Sequence, residues 1–138
     1  MKALSIHPQY VISILACQKT VEIRSWTTNY RGDILICSTA KKIKETIPGH
    51  ALCVVTLEDV VPFREEHLKG AMAEKADLPW LMTQNAWILS NVRYIKPFPV
   101  KGKLSLWEYD GDIEILKQPK SEEEEMKMFR KYYEPLYI

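Results

Sequence analysis

Three charged residues stand close together in the stretch ACQKTVEIRSW, residues 16–26: Lys19, Glu22 and Arg24. The segment TVEIRSW alternates apolar and polar residues, which predicts a strand. On a strand, residues two apart share a face. Val21 and Ile23 then point one way, and Thr20, Glu22, Arg24 and Trp26 the other. Glu22 and Arg24 lie ~7 Å apart along the backbone, within pairing reach of their side chains. Lys19 falls at a helix-to-strand junction and can lean over the same face. Two readings follow. One is a surface ion pair on an exposed strand, which contributes little. The other is a charged pocket floor, where Lys19 and Glu22 have perturbed proton affinities and share acid–base work.

The basic loop of Lys96, Lys101 and Lys103, with Arg93, either contacts phosphates or is simply solvated, and no metal-ligating cluster competes. His7, His50 and His67 are scattered, and Cys17, Cys37 and Cys53 are widely spaced with no CxxC pair. That pattern fits neither a disulfide framework nor a zinc site. Cys37 and Cys53 sit in apolar runs and are expected to pack as small hydrophobes. No metal and no cofactor is expected.

The chain that must position these residues has 138 residues, 46% of them hydrophobic, and a formal net charge of +1. This length and composition predict one core. A near-neutral charge excludes a strong global field toward nucleic acid, so such binding must rest on a local patch. No apolar run reaches the ~18 residues of a membrane span. The N-terminal segment lacks the layout of a secretion signal, and Pro8 and Gln9 interrupt it. A cytoplasmic protein with no membrane partner is expected.

Residues 3–6 read as a strand and HPQYVISILACQ as a short helix, with Pro8 in its first turn and Tyr10, Val11, Ile14 and Leu15 on one face. DILICST reads as a strand buried on both faces. TAKKIKETIPG is expected to form a short helix with Ile43 and Ile47 inward. HALCVVTLEDVVPF reads as a central strand, REEHLKGAMAEKAD as one surface helix weakened by Gly70, and LPWLMTQN as a loop. AWILSNVRYI is a strand and KPFPVKGK a basic loop with Lys96, Lys101 and Lys103. LSLWEYDGDIEIL predicts a hairpin turning at Asp110-Gly111. Ser121 and Glu124 have capping-box spacing before a final amphipathic helix. The domain is therefore expected over residues 1–120, with a C-terminal helix over 121–138 packed on it. Trp87 and Trp107 are expected in the core. Trp26 either stacks on a base or packs inward, and Trp80 either lines a cleft mouth or plugs a barrel end.

Residues 17–24, CQKTVEIR, resemble the GxKxxExR signature of the ASCH domain family, relatives of the PUA domain. ALSIHPQYVISIL is similar to that family's opening strand and helix. SWTTNYRGDILICSTAK is similar to its W-x-T-x-Y-R-G run, and AWILSNVRYIKPFPVKGKLSLWEY to its closing block. The resemblance implies an α+β, PUA-like, mostly antiparallel β-barrel of about six strands with short helices at its ends. It implies a cleft above the signature strand and RNA or a modified nucleoside as partner. His7, Lys19, Glu22, Arg24, Trp26 and Arg31 are the implied ligand-binding set.

Some members are enzymes, one branch hydrolysing N4-acetylcytidine and another acting as a ribonuclease. Lys19 matches a Lys implicated in both. Glu22 stands where the amidohydrolase branch has a Thr, and Glu74 is the nearest counterpart of that branch's Glu. Lys19, Glu22 and Glu74 are thus the candidate catalytic residues. Two departures stand out. Cys17 replaces the signature Gly at a helix end, where Gly tolerates positive φ. His7 replaces an Arg or Lys. The leading expectation is RNA or nucleotide binding. The alternatives are an amidohydrolase on acylated cytidine, a ribonuclease, or a pocket for protein partners.

Overall fold

A computed structural model describes residues 1–138. Six strands form one curled sheet: β1 (Lys2–Ile6), β2 (Val21–Arg24), β3 (Gly32–Ser38), β4 (His50–Pro62), β5 (Asn85–Pro99) and β6 (Leu106–Glu108). Their spatial order is β2-β5-β4-β3-β1-β6. All neighbouring pairs are antiparallel except β1 with β3. Register shifts in β4 against β5, between Ala51/Cys53, Val54/Thr56 and Leu57/Asp59, bend these two long central strands. Bulges of that kind increase local twist, and the curl brings the face of β2 toward β1. The result is the α+β, PUA-like architecture.

Helix α1 (Pro8–Leu15) starts on His7, whose Nδ1 accepts from the Gln9 N–H at 3.3 Å. Val11, Ile14 and Leu15 are buried under the sheet. Tyr10, expected on that face, is instead 51% exposed. The helix ends in a Schellman motif, with Gln18 N–H donating to Ser13 O and Cys17 N–H to Ile14 O, both at 3.0 Å. Cys17 occupies its left-handed position at φ +58°. This is the backbone demand that a glycine ordinarily meets.

Four expected elements take other forms. Residues 40–49 make no helix. Glu45 N–H donates to Ile138 O and Ile138 N–H to Thr46 O, so these groups pair with the C-terminal strand-like residues instead of along a helix. Ile47 is nonetheless fully buried. The expected surface helix is broken into a 3-10 turn at Glu65–His67, a single helical turn α2 (Leu68–Ala71) and a second 3-10 turn at Lys75–Asp77. Met72, at φ +55°, ends α2. LPWLMTQN contains another single turn, α3 (Leu78–Leu81), which buries Leu81 and leaves Trp80 61% exposed.

The hairpin at Asp110-Gly111 does not form. Its first arm is β6, which pairs with β1, while Ile115 bridges to Ile95. Burial of Trp107, whose Nε1 donates to Ser5 Oγ at 3.3 Å, draws the first arm onto β1. Helix α4 (Glu122–Tyr132) is capped by Ser121 Oγ, which accepts from Glu124 N–H. Glu124 reaches back to Lys120 N–H. Met126 is 54% exposed, and Met128 is the residue α4 buries. Just beyond α4, Tyr133 is fully buried; its hydroxyl donates to Leu52 O at 2.7 Å and accepts from Ile95 N–H at 3.2 Å.

Candidate functional site

Gly70 positions the site from behind. A Cβ there would sit 2.7 Å from Thr20 Oγ1 and 2.8 Å from Val21 Cγ2. Its absence lets α2 lie directly on the start of β2, where Thr20 N–H donates to Gly70 O at 2.8 Å. This contact places the Ala71 carbonyl 3.3 Å from Lys19 Nζ. The glycine that weakens the helix in the sequence therefore serves a close approach.

Lys19 is 4% exposed and Glu22 also 4%. Lys19 Nζ lies 3.6 Å from Glu22 Oε1 and 5.1 Å from the centre of the Tyr10 ring. Glu22 Oε1 also accepts from Ile23 N–H at 3.1 Å, and Oε2 accepts from Arg24 Nη2 at 3.2 Å. The same Nη2 donates to Ser5 O on β1 at 3.1 Å. Arg24 Nε is buried and has no partner. The three charges form a chain, cation–carboxylate–cation, running from beneath β2 to the opposite side of the curled sheet. Burial pushes the Lys19 ammonium below the ordinary lysine range. The charge and hydrogen bond of Glu22 oppose that shift, and the nearby Arg24 charge adds to it. Desolvation disfavours the charged form, and only a close carboxylate offsets it.

A cleft of about 720 Å³ opens over this chain. Glu22 and Arg24 form part of its wall, with His7 and Tyr10 from the start of α1 beside them. Across from them runs the strap Val100–Ser105, which carries Lys101 and Lys103. The backbone at Gly102 passes so close to Ser5 that a Cβ would lie 3.0 Å from the Ser5 Cβ. Leu104, on the strap, is 92% exposed.

The structure thus brings Lys19, Glu22 and Arg24 together and adds His7 to the cleft wall. Lys19 lies behind Glu22 and does not itself line the cleft. Trp26, Arg31 and Glu74 do not line it either. Trp26 lies past the end of β2 and packs edge-on against Trp87, ring centres 4.7 Å apart, while its carbonyl accepts from Trp87 Nε1. Arg31 pairs with Asp59 at 3.1 Å and donates to the Thr28 and Tyr30 carbonyls. Glu74 is exposed at the turn before Lys75–Asp77 and makes no bond with the three charges. Two parts of the wall escape sequence reasoning. Tyr10 reads as a core residue because helical spacing groups it with Val11 and Ile14. The strap is legible only as a basic loop, since nothing local shows that it folds back over β1.

Among the side chains present, no three His, Cys, Asp or Glu come together in an arrangement able to hold a metal ion. No helix is long and apolar enough to cross a membrane.

The model of the ASCH domain family matches residues 4–99. Among solved structures, ASCH from Zymomonas mobilis is similar at TM-score 0.54 and 16% identity, covering 94% of this chain and 93% of that one. A tyrosine-to-phenylalanine variant of it gives TM-score 0.57 and 19% identity, covering 94% and 96%. A serine-to-alanine variant gives 0.56 and 16%, covering 94% of each. These likenesses show the fold. No curated protein sequence matches the chain.

Proposed function

The chain belongs to the ASCH domain family, and from that premise we propose that its cleft binds RNA or a nucleotide-like ligand. The observation that carries this is the wall itself, in which a buried carboxylate and a partly exposed guanidinium are held side by side at 3.2 Å. A cleft of about 720 Å³ suits a ligand of nucleotide size. Glu22 and Arg24 offer an acceptor and donors for base or backbone groups. Tyr10, half exposed at the wall, supplies an aromatic face on which a base can stack. Lys101 and Lys103 on the strap add positive charge at the rim. Filter binding of single-stranded RNA across a salt series tests the reading. Each phosphate contact is expected to contribute about −0.7 to the log–log salt slope. Absence of salt-dependent binding to any RNA, together with no binding of nucleosides, rejects it.

A second reading rests on a different observation, the buried Lys19 beside Glu22 with its ammonium pushed below the usual range. In this reading the site hydrolyses the acyl amide of an N4-acetylcytidine-type base. Glu22 takes a proton from water as the water oxygen bonds to the acetyl carbon. Arg24 stabilises the oxyanion. The C–N4 bond then breaks, the amine takes the proton and acetate leaves. Lys19 acts through Glu22 by holding its carboxylate in position from behind. Glu74 does not line the cleft and has no part in this arrangement. Acetate release from N4-acetylcytidine, compared between the parent protein and Lys19→Ala, decides it; no turnover by the parent protein ends this reading.

A further inference from the structure

Donors and acceptors in the cleft wall are unevenly served. Glu22 accepts from Ile23 N–H and Arg24, with Lys19 alongside, so most of its lone-pair positions are engaged. Lys19 has the Ala71 carbonyl, Glu22 and the face of Tyr10. Arg24 differs. Both of its side-chain hydrogen bonds come from one nitrogen, Nη2. Nη1 has no protein partner, and Nε is buried without one. A guanidinium has five N–H groups and no acceptor. More than half of the hydrogen-bonding capacity of Arg24 is therefore unused, on a side chain that lines the cleft.

Charge leans the same way. Lys19 and Arg24 together outweigh Glu22 by one positive charge. Glu22 is the sole carboxylate on the cleft wall, and the strap brings Lys101 and Lys103 to the other side. Repulsion by Glu22 is muted because a cation is held against each of its oxygens, at 3.6 Å and 3.2 Å. Its side chain is 5% exposed against 25% for Arg24, so an entering group meets the guanidinium first.

We propose that the cleft takes a phosphate-bearing ligand, its phosphoryl oxygens accepting from the unpartnered Nη1 N–H groups of Arg24, with Lys101 and Lys103 lining the strap across the cleft. The proposal rests on the nucleotide reading above and narrows it, since a neutral nucleoside leaves both the donors and the excess charge unmatched. A planar guanidinium presents several donors to one phosphate, which a point-charge ammonium does not.

Titration calorimetry at low salt tests this with the four ribonucleosides, their 5′-monophosphates and inorganic phosphate. The parent protein, Arg24→Gln and the Lys101→Gln/Lys103→Gln double variant are compared. At least one monophosphate is expected to bind ten-fold or more tightly than its nucleoside. That advantage should vanish in Arg24→Gln and shrink in the double variant. Inorganic phosphate binding that Arg24→Gln abolishes also supports the assignment. A nucleoside that binds as tightly as its monophosphate overturns it, as does an advantage unchanged in Arg24→Gln. When only RNA binds, the salt slope carries the test: a decrease of about 0.7 in Arg24→Gln supports the assignment and an unchanged slope overturns it. Loss of all RNA and nucleotide binding by the parent protein rejects the nucleotide reading itself, a different outcome. Thermal melts establish that each variant folds. Should Arg24→Gln not fold, Arg24→Lys replaces it, and the phosphate advantage is then expected to fall at least three-fold while nucleoside binding stays level.

Discussion

Replacing Cys17 by glycine is expected to make the protein more stable. Cys17 holds φ +58° in the Schellman turn that ends α1. A side chain with a Cβ in the left-handed region costs about 1–2 kcal/mol. Glycine removes that cost but returns about 0.5–1 kcal/mol through the greater freedom of the unfolded chain. Little packing is lost, since Cys17 is exposed and its Sγ contacts Tyr94 Oη at a distant 4.0 Å. The net gain is about 0.5–1 kcal/mol. For 138 residues the unfolding entropy is about 290 cal/mol/K, so ~1 kcal/mol raises Tm by about 3 °C. Urea unfolding and thermal melts of the parent, Cys17→Gly and Cys17→Ala measure it. The alanine variant keeps the Cβ and loses the thiol, so it should not share the gain. Equal stability of the glycine and alanine variants, or a loss in the glycine variant, refutes the strain argument.

Three further outcomes are expected. Lys19→Met, which strips a 4%-exposed cation from an equally buried Glu22, should cost about 3 kcal/mol, and Glu22→Gln in the same background should restore part of it; a double-mutant cycle by urea unfolding measures the coupling, and additive effects count against a working pair. Tyr133→Phe leaves the buried Ile95 N–H without an acceptor and should cost about 1–3 kcal/mol in the same assay. Burial pushes the Cys37 thiol from 9.0 up to about 12 and raises Cys53, Tyr94 and Tyr133 as well. Above pH 9 the unfolded chain sheds these protons first, so stability falls as pH rises, by up to ~1.4 kcal/mol per pH unit for each group. Lys19, lowered in the folded state, works in the opposite sense below its ordinary 10.5. Unfolding free energies from pH 8 to 11 should decline, and less steeply in Cys37→Ala.

Local pattern made much of this molecule legible. Alternation in TVEIRSW located β2 and put Glu22 beside Arg24. The mixed apolar run of DILICST marked β3, in which Ile34 to Ser38 are all buried. The left-handed demand at Cys17 followed from the resemblance, whose signature carries a glycine at that helix end. Pairing across long sequence distances was hidden. The Asp110-Gly111 turn signal is local and sound, but β6 finds a better partner in β1, and Trp107 gains burial there. The Lys-rich segment after β3 has helix-forming residues, yet its backbone bonds go to Ile138. Trp26 has the parity of the charged face, but β2 stops at Arg24 and the chain turns the ring toward Trp87. Lys19 was placed in the right company while its depth was not, because Gly70 and Ala71, some fifty residues on, set that depth.

Arg24 also joins two strands that are not neighbours, since its Nη2 reaches from β2 to the Ser5 carbonyl of β1, on the far side of the sheet order. One guanidinium side chain therefore ties β2, an edge strand of the curled sheet, to β1, the strand next to the opposite edge. A shorter cation at position 24 would let the gap relax, and a ligand held by Arg24 would stiffen it. On the proposed assignment, recognition and the width of the opening are mechanically one variable, so amide exchange along β1 and β2 should slow together when the cleft fills.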